Sequence, residues 1–129
     1  MTAITSIEAL EGIYGQAAPK SLSKVVTHIT PHYRTWIEAA RFVVISTVGP
    51  EGTDGSPRGD DGAVVEIADN KTLLLPDWFG NNRIDTLRNI VRDERISLMF
   101  MAPGEVNVVR INGTAIISAD EDLRARFEK

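Results

Sequence analysis

A chain of 129 residues, 43% apolar and 25% charged, has the size and composition of one soluble globular domain. Its 18 acidic and 14 basic residues give a net charge of -4, which argues against a general binder of nucleic acid or anionic membrane, and the lack of cysteine excludes disulfides, thiolate metal sites and thiol nucleophiles. The opening M-T-A-I-T-S-I-E-A-L has no basic leader region, and no apolar run approaches the roughly 20 residues of a membrane span, so a cytoplasmic location is expected.

The first forty residues carry helical signals. Thr5 and Glu8 have capping-box spacing ahead of Ala9, Leu10 and Ile13, with Gly15 as a stop. Leu22, Val25, Val26 and Ile29 continue a helical stripe. Thr30-Pro31 combines a cap with proline at the first helical position, and Tyr33, Trp36, Ile37 and Ala40 then share one face. From Arg41 the period changes. Phe42 to Val48 is rich in β-branched residues and ends at the turn cluster Gly49-Pro50-Glu51-Gly52. Gly62 to Ala68 reads as a second strand and Thr72 to Leu75 as a third, paired by hairpin spacing. A helix is expected from Asn81 to Arg92, followed by strands over Ile96 to Met101 and Val106 to Ser118. Ser118 and Glu121 form a last capping box before Leu123 and Phe127. Five strands joined mainly by short turns, with one inserted helix, predict an antiparallel sheet curling toward a barrel. The division expected is an N-terminal helical segment over residues 1–40 and a β domain over 41–129. The sequence stops inside its last predicted helix, as a cut-down version of a longer protein would.

Two stretches point to an anion. In G-N-N-R-I-D-T-L-R-N, residues 80 to 89, Asn81, Asn82 and Arg83 open the expected helix. The first N–H groups of a helix have no internal partner and carry the positive end of its dipole, and a guanidinium fork suits phosphate oxygens. Ordinary capping by an asparagine accounts for the same residues. In G-S-P-R-G-D-D-G, residues 55 to 62, Arg58 stands between small residues in a glycine-rich loop that permits close approach of a ligand, and a plain turn is the competing reading. The glycines match neither a dinucleotide fingerprint nor a P-loop. His28 and His32 straddle the Pro31 helix start and so do not share a face, which leaves no metal site expected. Asp60 and Asp61 point opposite ways in extended chain. Trp78-Phe79 reads as a hydrophobic plug or as a wall beside a planar ring.

S-P-R-G-D (56–60), L-L-L-P-D-x-x-G-N-N-R-x-D-T-L-R-N (73–89), P-G-E-V-N-V-V-R-I-N-G-T-A (103–115) and T-P-H-Y-R-T-W-I-E-A-A-R-F-V-V-I-S-T (30–47) closely resemble a known family. These are the FMN-binding split-barrel proteins related to pyridoxamine 5'-phosphate oxidase, and the resemblance runs from about Ser21 onward. It implies an α+β, mainly β fold: a six-stranded split barrel of Greek-key antiparallel strands, with N-terminal helices and one inserted helix. It also implies a homodimer with FMN between the subunits. Arg58 and Arg83 would hold the FMN phosphate, helped by Asn81 and Asn82. Backbone of Ser56, Pro57, Gly59, Leu75 and Pro76 would line the ring edge, and Asn107 would approach the flavin. Deazaflavin and haem are the alternative cofactors.

Three departures stand out. Asp61-Gly62-Ala63 follows S-P-R-G-D where relatives have a Pro-Gly-Phe-like stretch. Asn107-Val108 replaces a usual Glu-Thr. Relatives also extend past position 129 with a final strand, and the C-terminal substrate motif of the true oxidases has no counterpart in this sequence. The resemblance therefore implies an FMN-dependent oxidoreductase acting on an unidentified small-molecule substrate or reductant, or alternatively a non-catalytic flavin carrier or sensor. No catalytic side chain stands out, and neither nucleic acid nor membrane is an expected partner.

Overall fold

The computed structural model describes residues 1–15, 25–77 and 84–127. Helix α1 spans Ile7–Tyr14, capped by Ser6, whose hydroxyl accepts from the Ala9 N–H at 3.1 Å, and no residue of it is buried. The cap is thus Ser6 and not Thr5, because Ser6 is the residue whose oxygen reaches the third N–H of the first turn. The helical stripe expected through Ile29 does not continue over residues 25–30. There the Ile29 N–H donates to the Asn70 carbonyl at 2.7 Å, which commits the backbone to another segment. Helix α2, Pro31–Ala39, starts as its sequence indicates, with the Thr30 hydroxyl accepting from the Tyr33 N–H at 3.2 Å.

Strands β1 (Phe42–Gly49) and β2 (Gly52–Gly59) form a tight hairpin whose return is made by Gly52 at φ 121, a conformation that L side chains resist. The sequence pattern treats much of β2 as a loop, and this is the main correction to the expected elements. Three of its residues are glycine and one is proline, which local propensity reads as a breaker. Pro57 is tolerated because β2 is the outermost strand of its sheet, where a missing N–H need not break the ladder.

Strands β3 (Glu66–Asp69) and β4 (Thr72–Leu74) make a separate two-stranded hairpin. Val64 and Val65, expected in the same strand as β3, lie before it and are buried in the core instead. Helix α3 covers Asp85–Arg92, beginning later than the expected Asn81, and its N-cap Ile84 has no side-chain capping bond. Strands β5 (Arg95–Met101) and β6 (Val108–Thr114) follow, the latter shorter than expected at both ends. Helix α4, Glu121–Arg124, is capped at Asp120, and the Ser118 hydroxyl accepts from the Asp120 N–H in place of the expected capping box.

The fold is α+β, with six strands among the described residues in two antiparallel sheets, an arrangement consistent with a split barrel. The larger sheet has the order β2-β1-β5-β6. Residues directly paired across an antiparallel ladder point to the same side. One side therefore carries Val43 and Ile45 of β1 with Leu98 and Phe100 of β5, and this side makes the core with Ile37 and Ala40 from the region of α2 and with Val64 and Val65. Ile67, Leu73 and Leu75 of the small hairpin pack on the same cluster. The other side brings Phe42, Val44 and Pro57 into line with Met99, Met101 and Val108, and much of it is exposed.

Candidate functional site

The inward face of β2 departs from the apolar pattern of its neighbours. Asp54, Ser56 and Arg58 pair across the ladder with Thr47, Ile45 and Val43, so all three polar side chains point to the core side of the sheet, and all are half-buried. An edge strand can carry them there, because its outer margin opens to solvent while its inner margin meets apolar neighbours. The result is a short polar rail with a cation at one end and a carboxylate at the other.

Each end is tied to another element. The Arg58 Nη1 donates to the Asp77 carboxylate at 2.5 Å, and its Nε donates to the Ser56 hydroxyl at 3.3 Å. At the opposite end, the Thr86 hydroxyl donates to the Asp54 carboxylate at 3.2 Å, which fixes the first turn of α3 against β2. Deeper in, the Asn89 amide donates to the Thr47 hydroxyl at 3.0 Å, and both side chains are buried. Buried amides and hydroxyls require such partners, since an unmet polar group under a sheet is destabilising. Helix α3 is thus seated on β1 and β2 by two polar contacts as well as by Ile90.

The expected site residues distribute as follows. Ser56 and Arg58 stand together on the inner face of β2, whereas Pro57 and Gly59 alternate to the outer face. Leu75 and Pro76 follow β4 directly and are half-buried, with Leu75 against the core, and they deliver Asp77 to Arg58. Asn107 is exposed just before β6, three strands from β2 or about 14 Å across the sheet at ordinary strand spacing. Within one chain it is not brought to Arg58. Asn81, Asn82 and Arg83 lie outside the described residues, as do Trp78 and Phe79. Asp77 is a site residue that sequence reasoning missed. Its neighbours in L-P-D gave no charge signal, and only the nineteen-residue return to Arg58 reveals it. The inward rail was detectable, because Asp54, Ser56 and Arg58 recur at the strand period of two.

Several other chemistry-bearing groups make local contacts. His32 Nε2 accepts from Trp36 Nε1 at 3.2 Å within α2, and His28 lies ahead of that helix. Asp60 accepts from the Gly62 N–H at 3.1 Å in a turn. The groups with shifted acidity also belong to turns. The Arg95 guanidinium, donating to both carboxylate oxygens, holds Asp93 down at about 2, and the Lys71 N–H lowers Asp69. Among the described residues no helix is long and apolar enough to cross a membrane.

The donors gathered at Arg58 suit a phosphate ester. A planar guanidinium, sheltered but not buried, stands beside a hydroxyl on the inner face of an edge strand, whose open margin leaves room for a ligand to approach. A family model described as Pyridoxamine 5'-phosphate oxidase matches residues 29–129. Its first residue, Ile29, is the one whose N–H is tied to Asn70, so the match covers both sheets together with α2, α3 and α4. No curated protein matches the chain.

Proposed function

The chain belongs to the pyridoxamine 5'-phosphate oxidase family, and from that membership we propose that it binds FMN and serves as an FMN-dependent oxidoreductase. The observation that carries the reading is the pairing of Arg58 with Ser56 on the inward face of an edge strand, beside the chain that leads from Pro76. Arg58 and Ser56 would hold the phosphate, joined by Arg83, Asn81 and Asn82. Backbone of Pro57, Gly59, Leu75 and Pro76, together with Asn107, would border the ring. The bound flavin supplies the redox chemistry, while the protein supplies orientation and electrostatics. Among the described residues no side chain beside Arg58 stands out as an acid–base catalyst, which suits transfer of hydride directly between a small-molecule donor and the ring.

A homodimer is part of this reading. Phe42, Met99 and Val108 are exposed on the outer side of the large sheet and lie in neighbouring rows with Val44 and Met101. A contiguous apolar patch of that kind marks an interaction surface.

The test is an absorption spectrum and mass analysis of the copurifying cofactor, followed by FMN and riboflavin titrations. FMN should bind and riboflavin should bind more weakly. Arg58→Ala and Arg83→Ala should each weaken FMN by about tenfold or more, the range of a charged hydrogen bond, with little effect on riboflavin. Reduction of the bound flavin by NADH or NADPH identifies an oxidoreductase, and a yellow protein that no donor reduces identifies a carrier or sensor. A deazaflavin or haem in the mass spectrum, or a protein with no affinity for FMN, would overturn the assignment.

A further inference from the structure

Arg58, on which the phosphate reading rests, is already engaged. Its Nη1 meets the Asp77 carboxylate at 2.5 Å and its Nε meets the Ser56 hydroxyl at 3.3 Å. The Arg58 side chain is 27% exposed and that of Asp77 is 45% exposed, so the carboxylate sits on the solvent side of a partly sheltered guanidinium. A carboxylate and a phosphate make the same demand on a guanidinium, two acceptor oxygens in the plane of the fork. They are also like-charged, and close approach of a phosphate dianion to an ionised carboxylate is unfavourable. Asp77 and a bound phosphate therefore compete for Arg58.

We propose that Asp77 is an internal stand-in for the flavin phosphate. It neutralises and aims Arg58, and it must turn away before the phosphate is held. The inference depends on the FMN reading above and adds a residue that tunes both affinity and the preference for phosphorylated over unphosphorylated flavin. The exposure of Asp77 makes its release inexpensive, because a half-exposed carboxylate regains water as it leaves.

The experiment is a cycle of FMN and riboflavin titrations on the wild type, Asp77→Asn, Arg58→Ala and the double variant, with Asp77→Ala as a second replacement. Asp77→Asn and Asp77→Ala should lower the Kd for FMN by about two- to fivefold, the range expected for release of a partly exposed ion pair, and leave riboflavin unchanged. In the Arg58→Ala background the same replacement should change FMN binding by no more than it changes riboflavin binding. Three results would overturn the inference: unchanged or weaker FMN binding in both Asp77 variants, an equal gain for riboflavin, or an equal gain without Arg58. If the wild type fails to prefer FMN over riboflavin, the phosphate reading itself falls and this inference goes with it. If the wild type prefers FMN through Arg58 but the Asp77 variants do not tighten it, only the role of Asp77 is lost.

Discussion

Gly49→Ala should loosen helix α3 from the sheet. A methyl group at Gly49 would lie 2.1 Å from the Asn89 Oδ1 and 2.9 Å from its Cγ, so the amide has to move. The amide has little room, since Asn89 is 7% exposed and its Nδ2 donates to Thr47 Oγ1 at 3.0 Å. A shift of an ångström or more breaks that bond and leaves buried polar groups unmet, at about 1–3 kcal/mol. Residual overpacking adds about 1–3 kcal/mol, and the higher conformational entropy lost by glycine on folding returns roughly 0.5–1 kcal/mol. The expected net loss is about 2–4 kcal/mol, a large part of the stability of a domain this size. Urea unfolding should show a lower midpoint at unchanged slope. The decisive comparison is the double-mutant cycle with Asn89→Ala, which removes the obstructing amide. In that background Gly49→Ala should cost less than about 1 kcal/mol. An equal cost with and without Asn89, or a cost below about 0.5 kcal/mol in the wild type, would refute the seating of α3 through this contact.

Other perturbations test other parts of the molecule. Phe100 is 2% exposed at the centre of the core, and Phe100→Ala should lower the unfolding free energy by about 3–5 kcal/mol in a denaturant titration. The Asp93 carboxyl should titrate at about 2 by NMR, and Arg95→Gln should move it up toward the ordinary carboxylate range; a wild-type midpoint near 4 would contradict the ion pair. Because the folded value is depressed, the stability this group supplies is present above its unfolded value and is lost as pH falls toward about 2. Met99→Glu on the outer sheet face should shift the protein toward monomer in light scattering while leaving single-chain stability within about 1 kcal/mol. Arg58→Lys keeps the charge but loses the fork, and it should weaken FMN several-fold while leaving riboflavin unchanged.

The apolar periodicities carried most of the fold. Thr30-Pro31 located α2 because its cap and its proline act within one turn, and Phe42–Val48 and Ile96–Met101 located β1 and β5 because buried central strands are rich in β-branched and apolar residues. What escaped was β2. Its Gly52, Gly55, Pro57 and Gly59 oppose strand propensity, and the strand exists because β1 offers it a full-length partner. The same override shortened β3, where Val64 and Val65 went to the core without joining the ladder. At the candidate site, Arg58 was legible as a guanidinium among small residues, though it is engaged by Asp77 and Ser56 and not unobstructed as that setting implies. Its partner Asp77 was not, since the contact depends on how the small hairpin returns to the edge of the large sheet, and spacing along the chain carries no trace of that.

The arrangement on β2 suits the phosphate site proposed at this edge. In water an exposed guanidinium gains little from an anion, because both lose strong hydration and salt screens the pair. Deep in a core the same guanidinium would be costly without a permanent counter-ion. Arg58 stands between these limits, on the inner face of an edge strand, where Val43 and Ile45 of the next strand lower its contact with water and the open margin admits a ligand. The two ties on that face reinforce the placement. Asp77 binds Arg58 and Thr86 binds Asp54, positions four apart on one strand and so about 13 Å from each other. Asp77 and Thr86 therefore both meet a single strand, which is also the strand that carries the proposed phosphate ligand. The proposed site is anchored by backbone pairing on β2 and by the seating of α3.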